Sequence, residues 1–241
     1  MWRMSLYTYA EELFQKRYGN DKNQVYSVPS AAPQKETSSE NVMPNERVIE
    51  IPWVLQNLPQ SGVILDVGSC DAAYLATIPQ NDRILHAIDP QDCAGKLPPR
   101  IIFHQESIIG NSLPDHYFDV VLVLSTLEHI GLPTYGQSGF PDGDRLTLAE
   151  VRRLLKPGCP ALITVPVGQS RVTSWYRQYS PDDLRSLFEG WQTEIVYWGY
   201  DGRAFVEVTE ADVWQYDYRD GWQKGAAASA IACIIAYPLS P

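Results

Sequence analysis

The sequence is poor in positive charge and has no long apolar run. It contains 19 Lys and Arg residues against 29 Asp and Glu residues, a formal net charge of -10. Binding DNA, RNA or an anionic membrane requires many basic side chains, so these partners are not expected. No run approaches the roughly 18 apolar residues of a membrane span, and no secretory leader pattern follows Met1. We therefore expect a cytoplasmic protein.

Cysteine is also scarce, and its spacing forms no motif. Cys70, Cys93, Cys159 and Cys233 are far apart in the chain and include no C-x-x-C pair. Such spacing predicts neither a zinc site nor a disulfide framework. We expect four free thiols.

What the sequence does contain is an alternation of strand and helix patterns. The apolar, β-branched run Val63 to Val67 breaks into small and polar residues, and helix formers follow at 72–78. Further strands are predicted at 83–88, 101–107, 118–124, 161–166, 193–198 and 230–237, and helices at 47–58, at 148–155 and from Ser180. This alternation predicts a doubly wound α/β sheet.

The first 46 residues differ from the rest of the chain. Residues 5–18 place apolar side chains on one helical face, and residues 19–46 are polar and interrupted by three prolines. The second segment has too little apolar surface to offset its ordering entropy, so it is a mobile linker or a lid that orders on ligand binding. We divide the chain into residues 1–46, a helix with this linker or lid, and residues 47–241, the α/β domain.

A ligand site is expected at the carboxyl end of the first strand. In open parallel sheets, ligands bind at this edge. Asp89 ends the second predicted strand, about twenty positions beyond Gly68, which is the spacing of an acid that binds ribose hydroxyls. The two signals together predict a nucleoside-bearing ligand.

An ordered set of motifs resembles the class I S-adenosylmethionine-dependent methyltransferases, especially their small-molecule branch. The set comprises Leu65 to Ala72 as the glycine loop, Ala87 to Asp89, Phe118 to Val121 with Leu127 to His129, and Leu154 to Gly158. The resemblance covers about residues 47–237. It implies a Rossmann-like, seven-stranded, mostly parallel sheet in which the last strand, 230–237, lies antiparallel beside the fifth.

The glycine loop departs from the usual G-x-G-x-G pattern, because Gly68, Cys70 and Ala72 occupy its three positions. A dinucleotide loop needs the middle glycine so that its backbone can approach a pyrophosphate. S-adenosylmethionine has no phosphate and tolerates more bulk there. The substitution therefore counts against a nicotinamide cofactor more than against S-adenosylmethionine.

The resemblance also implies roles for individual residues around this cofactor. Asp66 and the backbone of Gly68, Ser69 and Cys70 border the methionine part, and Asp89 binds the ribose hydroxyls. Glu106 and Ser107 contact the adenine, while Leu124 and Ser125 close the fourth strand beside the sulfonium.

Methylation of a hydroxyl requires a base or a metal ion. His129 follows the fourth strand, where the resemblance places acceptor contacts, and is the best base candidate; alternatively it orients the loop. Asp142 and Asp144, in the long loop 131–145, complete the predicted catalytic set. With Glu128 and His129 they could bind a divalent cation, but no spacing requires one and a metal is not favoured. Asp144 could instead cap a helix beginning near Leu146.

The predicted acceptor contacts are Tyr135, Arg171, Trp175 and Tyr176. Their rings can stack on a sugar face or an aromatic ring, and the arginine can hold an acid; packing is the alternative for the rings. We expect O-methylation of a small molecule such as a sugar or glycosylated metabolite. The alternatives are N- or C-methylation and a cofactor-binding domain without turnover. The acceptor and the oligomeric state stay open.

Overall fold

The computed structural model describes residues 45–79, 82–136, 138–217 and 228–239. The predicted N-terminal amphipathic helix and the linker or lid that follows it lie outside the described residues, apart from the last two positions of that segment. Within the described residues, no helix has the length and apolar character that crossing a membrane requires.

The centre of the fold is an eight-stranded sheet. Its strands are β1 (Ser61–Val67), β2 (Asp82–Ile88), β3 (Ile102–His104), β4 (Val120–Leu124), β5 (Ala161–Pro166), β8 (Trp191–Tyr200), β9 (Phe205–Val208) and β10 (Ala230–Pro238). They lie in the order β3-β2-β1-β4-β5-β10-β8-β9, and the small hairpin of β6 (Arg171–Val172) and β7 (Arg177–Gln178) stands apart from them. The first five strands in this order, β3, β2, β1, β4 and β5, are parallel to one another. The other three, β10, β8 and β9, pair antiparallel with their neighbours.

The predicted Rossmann-like α/β fold is confirmed, and so is the antiparallel last strand. β10 pairs with β5 from Ile231 opposite Pro166 to Ala236 opposite Ala161. The sheet has eight strands rather than the seven implied by the resemblance, because β9 adds to the outer edge of β8. β9 is short and half exposed, since Val206 and Glu207 are exposed among its four residues.

Among the residues that the structure describes, four α-helices accompany the sheet: α1 (Arg47–Asn57), α2 (Gly143–Leu154), α3 (Pro181–Leu187) and α4 (Glu210–Val213). The predicted start of α3 is confirmed. Ser180 caps the helix, Pro181 is its first residue, and Asp183 completes the capping box with Ser180. The predicted start of α2 near Leu146 is wrong. The helix begins at Gly143, so Asp144 lies in its first turn and is not its cap.

The helix predicted at 72–78 is also corrected. The segment forms two short 3₁₀ turns, Ser69–Asp71 and Ala73–Thr77. Two features keep it short. Pro79 disfavours a helical conformation for Ile78, and the Tyr74 hydroxyl is tied to the buried Asp66 carboxylate. A stretch of this length cannot recover the cost of nucleating an α-helix by itself.

Apolar side chains cover both faces of the sheet. On one face, Leu148, Val151 and Leu154 of α2 pack in a cluster with Leu65 and Val121. On the other face, α1 and the 3₁₀ turns cover Ile64 and Leu122. Because Trp53 and Val54 of α1 are buried in this second cluster, the helix is fixed against the sheet.

Candidate active site

A cleft opens at the carboxyl ends of β1, β2 and β4, the edge predicted for a ligand. Of the predicted site residues, the lining includes Gly68, Cys70, Asp89, Ser107, Ser125, His129 and Tyr135. It also includes residues that the sequence did not single out, among them Arg47, Asp71, Gln91, Thr126, Thr134 and Phe140. The fold thus gathers residues from five separate segments at one place: Arg47, 67–71, 88–91, 107–108 and 125–140.

Gly68 forms the floor of the cleft, where the turn after β1 meets the end of β4. Its φ of +79° is left-handed, and its backbone N–H donates to the Ile88 carbonyl at 2.9 Å. A Cβ atom at this position would lie 2.5 Å from Cγ2 of Thr126. Glycine is therefore required both by the backbone conformation and by the close approach of Thr126.

Asp89 stands at the end of β2 and is only 6% exposed. One carboxylate oxygen accepts the Cys70 N–H at 3.1 Å and the other accepts the Gln91 N–H at 2.9 Å. Burial raises the pKa of Asp89, and these two amides oppose the shift. An ionised carboxylate has about four acceptor positions, so two hydroxyl groups could still be bound from the cleft.

The expectation of four free thiols is wrong, because Cys70 and Cys93 form a disulfide. Their Cα atoms are 5.1 Å apart, a usual separation for the bond. The crosslink joins the turn after β1 to the segment after β2, and this proximity arises only when the two strands pair. Cys159 and Cys233 are free.

The part of the chain that the structure describes contains one group of three potential metal ligands, Cys70, Asp89 and Cys93. Two of these are consumed by the disulfide. Glu128, His129, Asp142 and Asp144 do not form a group of this kind. A metal ion is therefore not favoured at this site.

Asp66, Ser69 and Leu124 support the cleft from beneath and do not line it. The Asp66 carboxylate accepts the Tyr74 hydroxyl, and the Ser69 hydroxyl donates to the Asp66 carbonyl at 2.9 Å. Burial raises the pKa of Asp66 to about 6, although the hydrogen bond from Tyr74 opposes this shift.

Helix α1 contributes a buried polar network that sequence reasoning missed. Glu50 has no exposed surface. Its Oε1 accepts the hydroxyls of Ser125 and Thr164, both at 2.6 Å, and its Oε2 accepts Nη1 of Arg47 at 3.0 Å. Arg47 in turn lines the cleft. A glutamate in an amphipathic helix carries no signal of such partners.

The loop after β4 holds the predicted base. His129 Nδ1 lies 2.6 Å from the Trp175 carbonyl, so Nδ1 carries the proton and Nε2 keeps its lone pair. Nε2 is 3.8 Å from Oε1 of Glu128. Burial lowers the pKa of His129, whereas burial raises the pKa of Glu128 to about 8. Near pH 7 the imidazole is therefore neutral.

Three rings pack together at this side of the cleft. The ring centroids of Tyr135 and Trp175 are 4.8 Å apart, and His129 contacts both rings edge-on. Tyr135 is 48% exposed and lines the cleft, so one aromatic surface remains accessible. Tyr176 is buried, and Arg171 pairs with Asp217 at 2.7 Å; neither lines the cleft.

Three further predicted residues lie outside the cleft lining. Asp144 is 3.2 Å from the Tyr179 hydroxyl and 3.6 Å from Nε of Arg177. Asp142 precedes α2 with a left-handed φ of 56°. Glu106 accepts the backbone N–H and the hydroxyl of Ser112. Catalytic roles for Asp142 and Asp144, and an adenine contact for Glu106, stay predictions.

The central part of the chain is similar to a known family. A family model described as a methyltransferase domain matches residues 65–163, less than half of the sequence. A search of curated proteins finds no match.

Comparison with solved structures agrees with the fold. The chain is similar to the 1,6-didemethyltoxoflavin-N1-methyltransferase of Burkholderia thailandensis, with TM-score 0.53, 16% identity and coverage of 78% of this chain and 76% of that one. It is similar to an S-adenosylmethionine-dependent methyltransferase of Methanosarcina mazei, with TM-score 0.53, 14% identity and coverage of 78% and 98%. The [4+2]-cyclase SpnF gives TM-score 0.51, 14% identity and coverage of 79% and 80%. Such similarity establishes the fold, and the family match shows that residues 65–163 are similar to a methyltransferase domain.

Proposed function

We propose that this chain transfers a methyl group from S-adenosylmethionine to a hydroxyl group of a small molecule, such as a sugar or a glycosylated metabolite. The observation that carries the proposal is the cleft that brings Asp89 and His129 to one edge of the sheet. When bound, the cofactor supplies a methyl group already activated by its sulfonium. The protein then has to align donor and acceptor and to remove the acceptor proton.

The residues of the cleft fit the cofactor. Asp89 would accept the ribose hydroxyls, and Ser107, which also lines the cleft, would border the adenine. The turn after β1 leads into short 3₁₀ segments, so it offers no long helix whose N-terminus could bind the methionyl carboxylate. Arg47, the one Lys or Arg in the described lining, would bind that carboxylate instead.

His129 would act as the base. Its Nε2 is unprotonated, it lines the cleft, and Nδ1 is fixed by the Trp175 carbonyl. Tyr135 would contact the acceptor ring from the cleft, with Trp175 packed against it. Acceptor contacts for Tyr176 and Arg171 stay predictions, because neither lines the cleft. Asp144 would be a positioning residue, because it approaches Arg177, which donates to the Ile130 carbonyl at 2.7 Å. Asp142 would fix the same loop at the start of α2.

Methylation of a nitrogen is the second candidate. The relative from Burkholderia thailandensis is an N1-methyltransferase of the same fold. In addition, Oε2 of the buried Glu128 finds no hydrogen-bond donor among the described residues, and an amino group would suit it. A cofactor-binding domain without methyl turnover is the third candidate, because a protein of similar fold, SpnF, is a cyclase.

Calorimetric titration with S-adenosylhomocysteine tests the cofactor assignment. We expect the wild type to bind and Asp89→Ala to lose about ten-fold or more in affinity, as for removal of hydrogen bonds to a charged group. Equal affinities would remove the ribose assignment. If the wild type did not bind S-adenosylhomocysteine, the proposed methyltransferase function would be wrong.

A screen of cofactor consumption with sugars, phenols, carboxylic acids and amines tests the acceptor class. With an accepted hydroxyl compound, His129→Ala should lower turnover about 10²-fold or more and leave cofactor affinity intact. Unchanged turnover would exclude His129 as the base. A chelator in the same assay should have no effect, and turnover restricted to amines would favour the second candidate.

A further inference from the structure

The buried carboxylate of Glu50 connects three elements that are distant in sequence. It belongs to α1, and its partners are Ser125 after β4 and Thr164 within β5, 75 and 114 positions away. It also pairs with Arg47 one turn earlier in the same helix. A buried carboxylate is costly unless it is paired and hydrogen-bonded, and here both oxygens are engaged. The network is therefore closed and specific.

Ser125 depends on this network for its conformation. Its φ of 43° is left-handed, a strained conformation for a residue with a Cβ atom. Its N–H lies 3.0 Å from the Thr164 hydroxyl and 3.2 Å from the Thr164 carbonyl, and its own hydroxyl donates to Glu50. The surrounding hydrogen bonds thus hold a strained residue that lines the cleft.

Arg47 depends on the same carboxylate. Glu50 engages Nη1 of its guanidinium, yet the side chain is 35% exposed and lines the cleft. A guanidinium has five N–H donors in a rigid fork, so donors remain for an anion in the cleft. Glu50 thus sets the direction in which these donors face.

We propose that Glu50 is a positioning residue for the methionyl end of the cofactor, because its buried carboxylate fixes Arg47 for the cofactor carboxylate and Ser125 for the sulfonium side. This inference rests on the proposed function. It makes α1 a part of the cofactor site, although the helix lies outside the matched residues 65–163.

Two nucleoside ligands separate this role from a general structural one. S-adenosylhomocysteine carries the amino-acid carboxylate, and 5′-methylthioadenosine lacks it. Glu50→Gln keeps an acceptor oxygen for the hydroxyls but loses the charge that holds Arg47. We expect its affinity for S-adenosylhomocysteine to fall about 10- to 100-fold, and its affinity for 5′-methylthioadenosine to change less than about three-fold.

Glu150→Gln is the matched control. Glu150 also pairs with an arginine three positions away, Arg153, at 2.8 Å, but on α2 away from the cleft lining. This variant should bind both ligands as the wild type does. Arg47→Gln should reproduce the selective loss seen in Glu50→Gln, and it keeps the inference testable if Glu50→Gln fails to fold.

Three results would overturn the inference. Equal losses for both ligands in Glu50→Gln would make the residue a structural one, and unchanged affinities would remove any role at the cofactor. If neither Glu50→Gln nor Arg47→Gln loses affinity for S-adenosylhomocysteine selectively, the amino-acid carboxylate of this ligand does not bind at Arg47. Failure of the wild type to bind either nucleoside is a different outcome, because it would remove the proposed function itself.

Discussion

At the residue scale, Gly68 and Gly110 separate two reasons for which a glycine is needed. Both have left-handed backbones, with φ of +79° and +73°, but a Cβ would meet Thr126 at Gly68 and no atom within 4 Å at Gly110. Gly110→Ala should therefore cost about 1 kcal/mol of unfolding free energy. Gly68→Ala should cost clearly more, and urea denaturation measures both.

The control for this comparison is the double variant Gly68→Ala with Thr126→Ala. It removes Cγ2 and Oγ1, the two Thr126 atoms that would lie closest to the new methyl group. The double variant should recover much of the unfolding free energy that Gly68→Ala loses beyond the cost of Gly110→Ala. Equal costs at the two glycines would show that the contact with Thr126 does not matter.

Glu128 should make stability depend on pH. Burial raises its pKa to about 8, whereas an unfolded glutamate titrates near its ordinary value. Between these values the folded state holds a proton that the unfolded state lacks, so stability falls as pH rises, by about 1.4 kcal/mol per pH unit at most. Glu128→Gln removes this contribution, so its unfolding free energy relative to the wild type should rise from pH 6 to pH 9. Urea denaturation of both proteins at the two pH values measures this difference, and an equal difference at both would contradict the prediction.

At the scale of elements, the sequence predicted the strands better than the segments between them. Runs such as 161–166 and 230–237 are almost entirely apolar, and buried strands of this kind leave a clear pattern. The prediction of a helix at 72–78 was wrong. It relied on the helix propensity of these residues, whereas the bond from Tyr74 to Asp66 and the proline at position 79 favour 3₁₀ turns. In the site, the positions of Asp89 and His129 at the cleft were predictable, because Asp89 directly follows β2 and His129 lies in the loop after β4. Arg47, Glu50 and the Cys70 to Cys93 bond were not, because their partners meet only after folding.

The disulfide should compensate for missing helix in the segments after β1 and β2. These segments contain 3₁₀ turns and no α-helix up to β3 among the residues that are described, and the crosslink spans 23 positions. Chain-entropy arguments give about 3 kcal/mol for a loop of this size. Cys93→Ser, or reduction of the wild type, should therefore lower the unfolding free energy by about that amount.

Cys159→Ser is the control, because Cys159 is a free thiol that the crosslink does not involve. Its stability should remain close to that of the wild type. Alkylation and mass spectrometry before and after reduction count the thiols directly. Four alkylated cysteines in the unreduced protein would contradict the disulfide.

At the scale of the whole molecule, β10 joins two differently built halves. The parallel strands end at β5, and β8 with β9 reach the sheet only through β10. Ile234 lies in the middle of β10, has no exposed surface, and is paired with Ile163 on one side and Ile195 on the other. The packing of both halves therefore depends on this strand.

Ile234→Ala should destabilise the entire molecule and not one edge of the sheet. Loss of a fully buried isoleucine side chain costs about 2–5 kcal/mol, whereas Val206→Ala on the exposed side of β9 should change stability by about 0.5 kcal/mol or less. Because β10 is shared, unfolding should stay a single transition. Tryptophan fluorescence reports on Trp53 in α1 and on Trp191 and Trp198 in β8, and far-UV circular dichroism reports on the backbone. We expect the two curves to coincide and to shift to lower urea concentration. Separate transitions would mean that the antiparallel strands unfold independently of the parallel half of the sheet.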